Sequence, residues 1–295
     1  MSEPVLTQLT DFSCRLGEGP VWHDGAIWWV DIKNPALHRL NGGRKDGAHT
    51  RFPLPEPVGA AVPTKRGDWL VGLKSGVYRF VPETGTLTPF AVLEPEMPGN
   101  RLNDGKVDAA GRLWIGSMDD AENAPTGHFY CLTGSRPEVR PYPVNFTVTN
   151  GIGWSGDGRT LYLTDSANRC IYTAPYDPET GTAGEKRVFA QLAPDEGFPD
   201  GLCLDADDHI WSCHWDGARI TRYRPDGSRE RVIALPVNRP TSCCFGGNNL
   251  DVLFITSAQD GAGKGGQLWA LTGVKQQNNL TFASIHGVKS TLFGG

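Results

Sequence analysis

Residues 200–213, DGLCLDADDHIWSC, and residues 104–116, DGKVDAAGRLWIG, are two copies of one unit: an apolar run opened by Asp-Gly, a polar turn, and a second apolar run carrying tryptophan. Short apolar runs broken by a Gly/Asp/Asn turn specify a β-hairpin. The unit recurs as GPVWHDGAIWWVD (19–31), GAAVPTKRGDWLVG (59–72), NGIGWSGDGRTLYLTD (150–165) and TSCCFGGNNLDVLFIT (241–256). After each comes a second hairpin half that closes on a turn: LHRLNGG (37–43), VYRFVPETG (77–85), FYCLTGS (129–135), IYTAPYDPETG (171–181), ITRYRPDG (220–227) and LWALTG (268–273). The equivalent positions Gly19, Gly59, Gly105, Gly151, Gly201 and Ser242 are spaced by 40, 46, 46, 50 and 41 residues. Strand-only repeats of that size predict an all-β fold, a six-bladed β-propeller of four-stranded antiparallel blades, with residues 1–295 as a single domain. The segment VLTQLTDF (5–12) is a spare strand. Its place is the outer edge of the last blade, where it closes the ring and hides an exposed sheet edge.

The 295 residues include 37 Gly, 22 Pro and nine Trp with 39 % hydrophobic residues, which suits a large core cut by many turns. Twenty-eight basic and 33 acidic residues give a charge of −5 without a long run of either sign, so neither a nucleic-acid footprint nor a polybasic membrane patch is present. The N-terminal MSEPVLTQLTDF lacks the basic and apolar regions of a secretory leader. The expectation is a cytoplasmic monomer acting on a small molecule, with no nucleic-acid or membrane partner. Cys14, Cys131, Cys170, Cys203, Cys213, Cys243 and Cys244 are odd in number and share no CxxC spacing, which predicts free thiols rather than a disulfide framework or a zinc ribbon.

In such a blade the loops alternate between two faces. The A–B turns, such as Asp24-Gly25 and Ala109–Gly111, share one face with the C–D turns and carry ordinary turn residues. The opposite face presents the residues that lead into each innermost strand and crowd round the central channel: Glu18, Val58, Asn103-Asp104, Asn150, Asp200 and Thr241. An Asp or Asn before Gly taken alone reads as a turn residue. Six such positions brought to one axis are different, because Glu18, Asn150 and Asp200 then aim oxygens at a common point, where two unpaired carboxylates demand a cation. Hard oxygen donors suit one divalent ion, calcium, magnesium or manganese, with zinc or ferrous iron admissible at an open site.

RLNDGKVDAAGRLWIGSMD (101–119), LGEGPVW (16–22), TNGIGWSGDGRTLYLTDS (149–166) and PDGLCLD (199–205) together resemble the hallmarks of the family of senescence marker protein (regucalcin), gluconolactonase and luciferin-regenerating enzyme. The likeness runs over nearly the whole chain. It implies a propeller with one metal ion in the channel, held by Glu18, Asn150 and Asp200, and substrate contacts from Arg101 and Asn103. It also implies an acid in the loop after Met118; Glu122 is the candidate, with Asp119 and Asp120 as rivals. The chain departs from the resemblance from about Asn278 onward, a difference expected to bear on blade closure.

Other residues read as structure. His214 is expected in a B–C loop, His23, His128 and His209 at strand or turn positions, and Trp29, Trp114 and Trp211 between blades. GAGKGG (261–266) lacks the spacing and helix of a phosphate loop. The expected activity is metal-dependent hydrolysis of a sugar-acid lactone, a pentono- or hexonolactone such as xylonolactone, arabinonolactone or gluconolactone, with Asp200 as ligand and proton acceptor. The alternatives are a calcium-binding regulatory protein without turnover and a phosphotriesterase-like hydrolase on the same fold.

Overall fold

The structure is a computed structural model that describes residues 4–273 and 291–294. Its strands form six antiparallel sheets, one per repeat. The innermost strands are Gly17–His23, Val58–Pro63, Asn100–Val107, Thr149–Trp154, Phe198–Leu204 and Arg239–Gly246, and each pairs outward with the strand that follows it in sequence. They neighbour one another round a ring, the sixth lying against the first. Among the described residues no helix is long and apolar enough to cross a membrane.

The sheets are held side by side by apolar clusters in which residues of adjacent blades interleave. Trp211 packs with Cys243, Phe245 and Ile255 between blades five and six, Trp29 with Phe254 and Ala270 between six and one, and Trp114 with Ile152 and Leu163 between three and four. Each fully buried large side chain of this kind contributes about 1.5–3 kcal/mol. All seven cysteines are buried and unbridged, as expected from their spacing.

Ring closure follows the sequence expectation. Val5–Gln8 pairs antiparallel with Trp269–Thr272 and completes the sixth blade. The chain then runs inward to blade one, with the N–H groups of Leu9 and Cys14 donating to the carbonyls of Leu268 and Gly266 at 2.8 Å. The fourth blade departs from the pattern: the PETG turn closes a short side ribbon, Thr182–Ala183, and Arg187–Gln191 is the true outer strand. That insertion accounts for the 50-residue step.

One reading needs correction. His214 lies within the strand Ile210–Trp215, fully buried, with Nδ1 at 2.9 Å from the Glu196 carbonyl. Burial holds its pKa down at about 4, so it is a neutral core group and not a loop residue. The expectation that the chain from about Asn278 onward bears on blade closure lies outside the described residues, apart from 291–294. Phe293 is fully buried against blades two and three, its N–H donating to the Pro63 carbonyl at 3.0 Å, while the Gly294 N–H donates to Gly111 at 2.8 Å. Replacing Phe293 with alanine removes a whole ring from that cluster and should cost about 3–5 kcal/mol in denaturant unfolding. A variant as stable as the wild type would show that the tail does not hold the two blades together.

Candidate metal centre and active site

Every innermost strand breaks register with its neighbour near its start, between Glu18 and Val21, Val58 and Ala60, Leu102 and Gly105, Asn150 and Ile152, Pro199 and Leu202, and Pro240 and Cys243. A bulge inserts unpaired residues and re-aims their side chains. Here it falls at the six positions that the repeat brings to the axis. Glycines let the strands approach closely enough to converge: Gly151 takes φ +38°, and a Cβ on Gly59 would fall on the carbonyl of Asn103.

The bulges gather three carboxylates. Glu18, Asp104 and Asp200 are 6 %, 5 % and 4 % exposed. Glu18 accepts the Gly19 N–H at 2.9 Å and Asp104 the Gly105 N–H at 2.8 Å, while Asp104 Oδ2 and Asp200 Oδ1 are buried without a hydrogen-bond partner. Burial and then the Asp104 charge push the Glu18 carboxyl up to about 8. Burial and then Glu18 and Asp104 raise Asp200 well above the usual carboxylate range, and burial raises Asp104 as well. Arg101 and Lys106 are the cations that offset this in part, Lys106 Nζ donating to the Leu202 carbonyl at 2.7 Å. Ionising all three acids would still crowd like charges in a desolvated space, which is why their carboxyls are raised. A divalent cation would relieve that crowding, and the unpartnered Asp200 Oδ1 is a donor it would use.

Asp104 is the acid that sequence reasoning left out of the site. It stood among the leading positions, and its NDG context matches the PDG of Asp200, so the signal was present. The three channel acids do not close to within 4.8 Å of one another; among the described residues Cys14, Asp31 and His38 in blade one do.

The amides and the arginine form a chain beside the acids. Asn150 Nδ2 donates to Ser166 Oγ at 2.9 Å, which turns its Oδ1 to accept Asn103 Nδ2 at 3.0 Å. Asn103 Nδ2 also donates to the Thr149 carbonyl at 2.7 Å, and Asn103 Oδ1 accepts Arg101 Nη1. Arg101 donates through Nε to Asp120 at 2.9 Å and keeps Nη2 for another acceptor. The three loop acids therefore separate. Asp119 accepts the N–H groups of Ala121 and Asn123 and holds the turn. Asp120 pairs with Arg101, Lys33 and Lys74. Glu122, exposed at φ +58°, is the one whose charge reaches Asp200 and helps to raise its pKa.

A cavity of about 280 Å³ lies at the other end of the channel, beyond Lys106, with Val62, Val107, Trp154, Leu204 and Phe245 in its largely apolar wall.

The raised Glu18 carboxyl has a measurable consequence. Its folded value of about 8 against 4.5 means the folded protein holds a proton that the unfolded chain has lost across that window, so stability falls as pH rises through it. Chelator-treated protein should melt at progressively lower temperature from about pH 5 to about pH 8, and saturating calcium or manganese should flatten the decline. Melting that is independent of pH in chelator would mean that the acids are solvated.

Residues 16–259 match the SMP-30/Gluconolactonase/LRE-like region. A regucalcin of Xenopus laevis is 30 % identical over the full length of both chains, and the pentonolactonase XacC of Haloferax volcanii is 34 % identical over 89 % of each. The solved structure of a calcium-binding protein, regucalcin, from Agrobacterium tumefaciens superposes with a TM-score of 0.88 at 29 % identity, covering 97 % of this chain and 96 % of that one. The matched region contains the bulges, the three channel acids and the Arg101–Asn103–Asn150 chain, and the chain belongs to the SMP-30/gluconolactonase/LRE-like family.

Proposed function

We propose that the protein hydrolyses sugar-acid lactones, with a divalent ion held by Glu18, Asn150 and Asp200. The observation that carries this reading is the buried carboxylate set with unpartnered oxygens beside a fixed arginine. The names of relatives that act on pentonolactones and gluconolactones support it. Bound there, such an ion supplies Lewis-acid polarisation of the lactone carbonyl.

The chain's own groups do the rest. Asp200, a ligand of that ion, also accepts the proton of the water that adds to the carbonyl carbon. As the ring C–O bond breaks, that proton passes to the departing ring oxygen, and the open aldonic acid is the product. Arg101 Nη2 donates to the substrate, its guanidinium plane fixed by Asp120 on one edge and Asn103 on the other. Asn103 Oδ1 keeps one lone pair for a substrate hydroxyl, and Glu122 on the loop above accepts another. Polar groups in this density suit a polyhydroxylated pentono- or hexonolactone, such as xylonolactone, arabinonolactone or gluconolactone, rather than one with a long acyl tail. We place the activity in a cytoplasmic monomer.

A second reading, metal binding without turnover, draws on the calcium-binding description of the Agrobacterium regucalcin. Assaying the protein on a panel of aldonolactones and one organophosphate, with and without chelator, separates the two. Lactone turnover abolished by chelator is expected. Tight metal binding with no turnover of any lactone favours the second reading, and preferred cleavage of the organophosphate favours a phosphotriesterase. Arg101→Leu should keep its metal and lose at least about tenfold in kcat/KM, since each charge-assisted hydrogen bond contributes roughly 1.5–3 kcal/mol. Asp200→Asn should lose turnover and metal affinity together. An Arg101→Leu protein as active as the wild type would remove Arg101 from the pocket.

A further inference from the structure

Blade one holds a second set of ligand-type side chains that the channel chemistry does not use. Ligand atoms of Cys14, Asp31 and His38 lie within 4.8 Å of one another, and the three residues are 2 %, 2 % and 4 % exposed. Topology brings them together. Cys14 sits in the connection between the closing strand and the first blade, Asp31 ends the second strand of that blade, and His38 stands on the third opposite Trp29.

Each side chain is prepared for a cation. His38 Nδ1 meets His49 Nε2 at 3.0 Å, and burial followed by His49 and Arg51 holds the ring neutral, with its pKa down at about 3. Nε2 is buried without a hydrogen-bond partner, and in the tautomer that gives the Nδ1 proton to His49 it carries a bare lone pair. A neutral imidazole fixed through one nitrogen, with the other left open, is the arrangement of a metal-ligating histidine and its orienting partner. Asp31 accepts the Arg15 N–H at 2.8 Å, the Leu16 N–H at 3.1 Å and the Asn34 N–H at 3.0 Å, which locks the carboxylate and leaves its remaining lone pair to the Cys14 thiol. Cys14 Sγ accepts the Trp29 indole N–H at 3.3 Å, and Trp29 and Phe12 stack on His38 and dry the site. Burial and then Asp31 push the Cys14 thiol up to about 12, so a thiolate needs a cation beside it.

We infer that Cys14 Sγ, Asp31 and His38 Nε2 bind a zinc-class divalent ion at a structural site that ties the ring-closing connection to the first blade. Thiolate and imidazole select a borderline ion, whereas the oxygen-lined channel suits a hard one. One thiolate and one carboxylate neutralise a dication, which suits residues almost fully removed from water. Binding releases the thiol proton to solvent, and a water completes the tetrahedral shell. The site also bears on the channel, because Asp31 pairs with Gly17 and Val30 with Glu18.

Cobalt(II) titrated into the metal-stripped full-length protein tests this directly, since a thiolate-to-cobalt charge-transfer band in the near ultraviolet can come from a sulfur ligand and not from the channel acids. The expected result is a band that saturates at about one equivalent, is bleached by zinc, and is missing from Cys14→Ala and His38→Phe. His49→Phe should keep the band with affinity weakened about 10–100-fold. No band in the wild type at saturating cobalt, a result that requires no variant to fold, would overturn the assignment, as would a band that survives in Cys14→Ala or His38→Phe.

Discussion

Six bulges at the axis are the constraint on which the site depends. A regular innermost strand would alternate its side chains between the two neighbouring blades, and none would be directed into the channel. The slip in register at each strand's start breaks that alternation at the one place where the repeat brings all six strands together. Glycine at or beside the slip keeps the ring narrow. What occupies the adjoining position differs round the ring: Val58 and Thr241 flank Glu18, while Asp104, Asn150 and Asp200 follow one another across the channel from it.

Charge then links the site to the stability of the fold. The channel acids are raised chiefly by desolvation and by one another, so ionising them at neutral pH costs the fold stability that a bound cation would restore. Arg101 relieves this only in part, because it also pairs with Asp120. That pairing and the bond to Asn103 keep the guanidinium fixed beside the channel acids. Blade one contributes to both features: it presents Glu18 on its innermost strand and, two strands outward, gathers the Cys14–Asp31–His38 cluster against the chain that closes the ring.

Much of this was legible in the sequence, because period and turn chemistry are local. Hairpins announce themselves through Asp-Gly and Asn-Gly turns, and equal spacing forces a ring, so Glu18, Asn150 and Asp200 could be placed on one axis without coordinates. Asp104 was visible but uncounted, since a bulge can turn two successive side chains inward and spacing alone does not reveal which. The roles of Asp119, Asp120 and Glu122 depended on loop conformation, set by backbone hydrogen bonds to Asp119 and a positive φ at Glu122 that no pattern announces. His214 was misjudged for a related reason: strand length depends on packing against other blades, and a periodic reading does not see across them. The blade-one cluster joins residues from two strands and a connection, far from any motif.

The central claim is that buried, mutually repelling carboxylates in the channel hold a hard divalent ion. Calorimetric titration of stripped protein with calcium or manganese at about pH 7, run in two buffers of different ionisation enthalpy, tests it most directly. The account predicts one site per chain whose binding heat changes with buffer, because Glu18 and Asp200 release protons as the ion enters, and predicts that Asp200→Asn weakens it sharply. No binding, or binding whose heat is identical in both buffers, would contradict it.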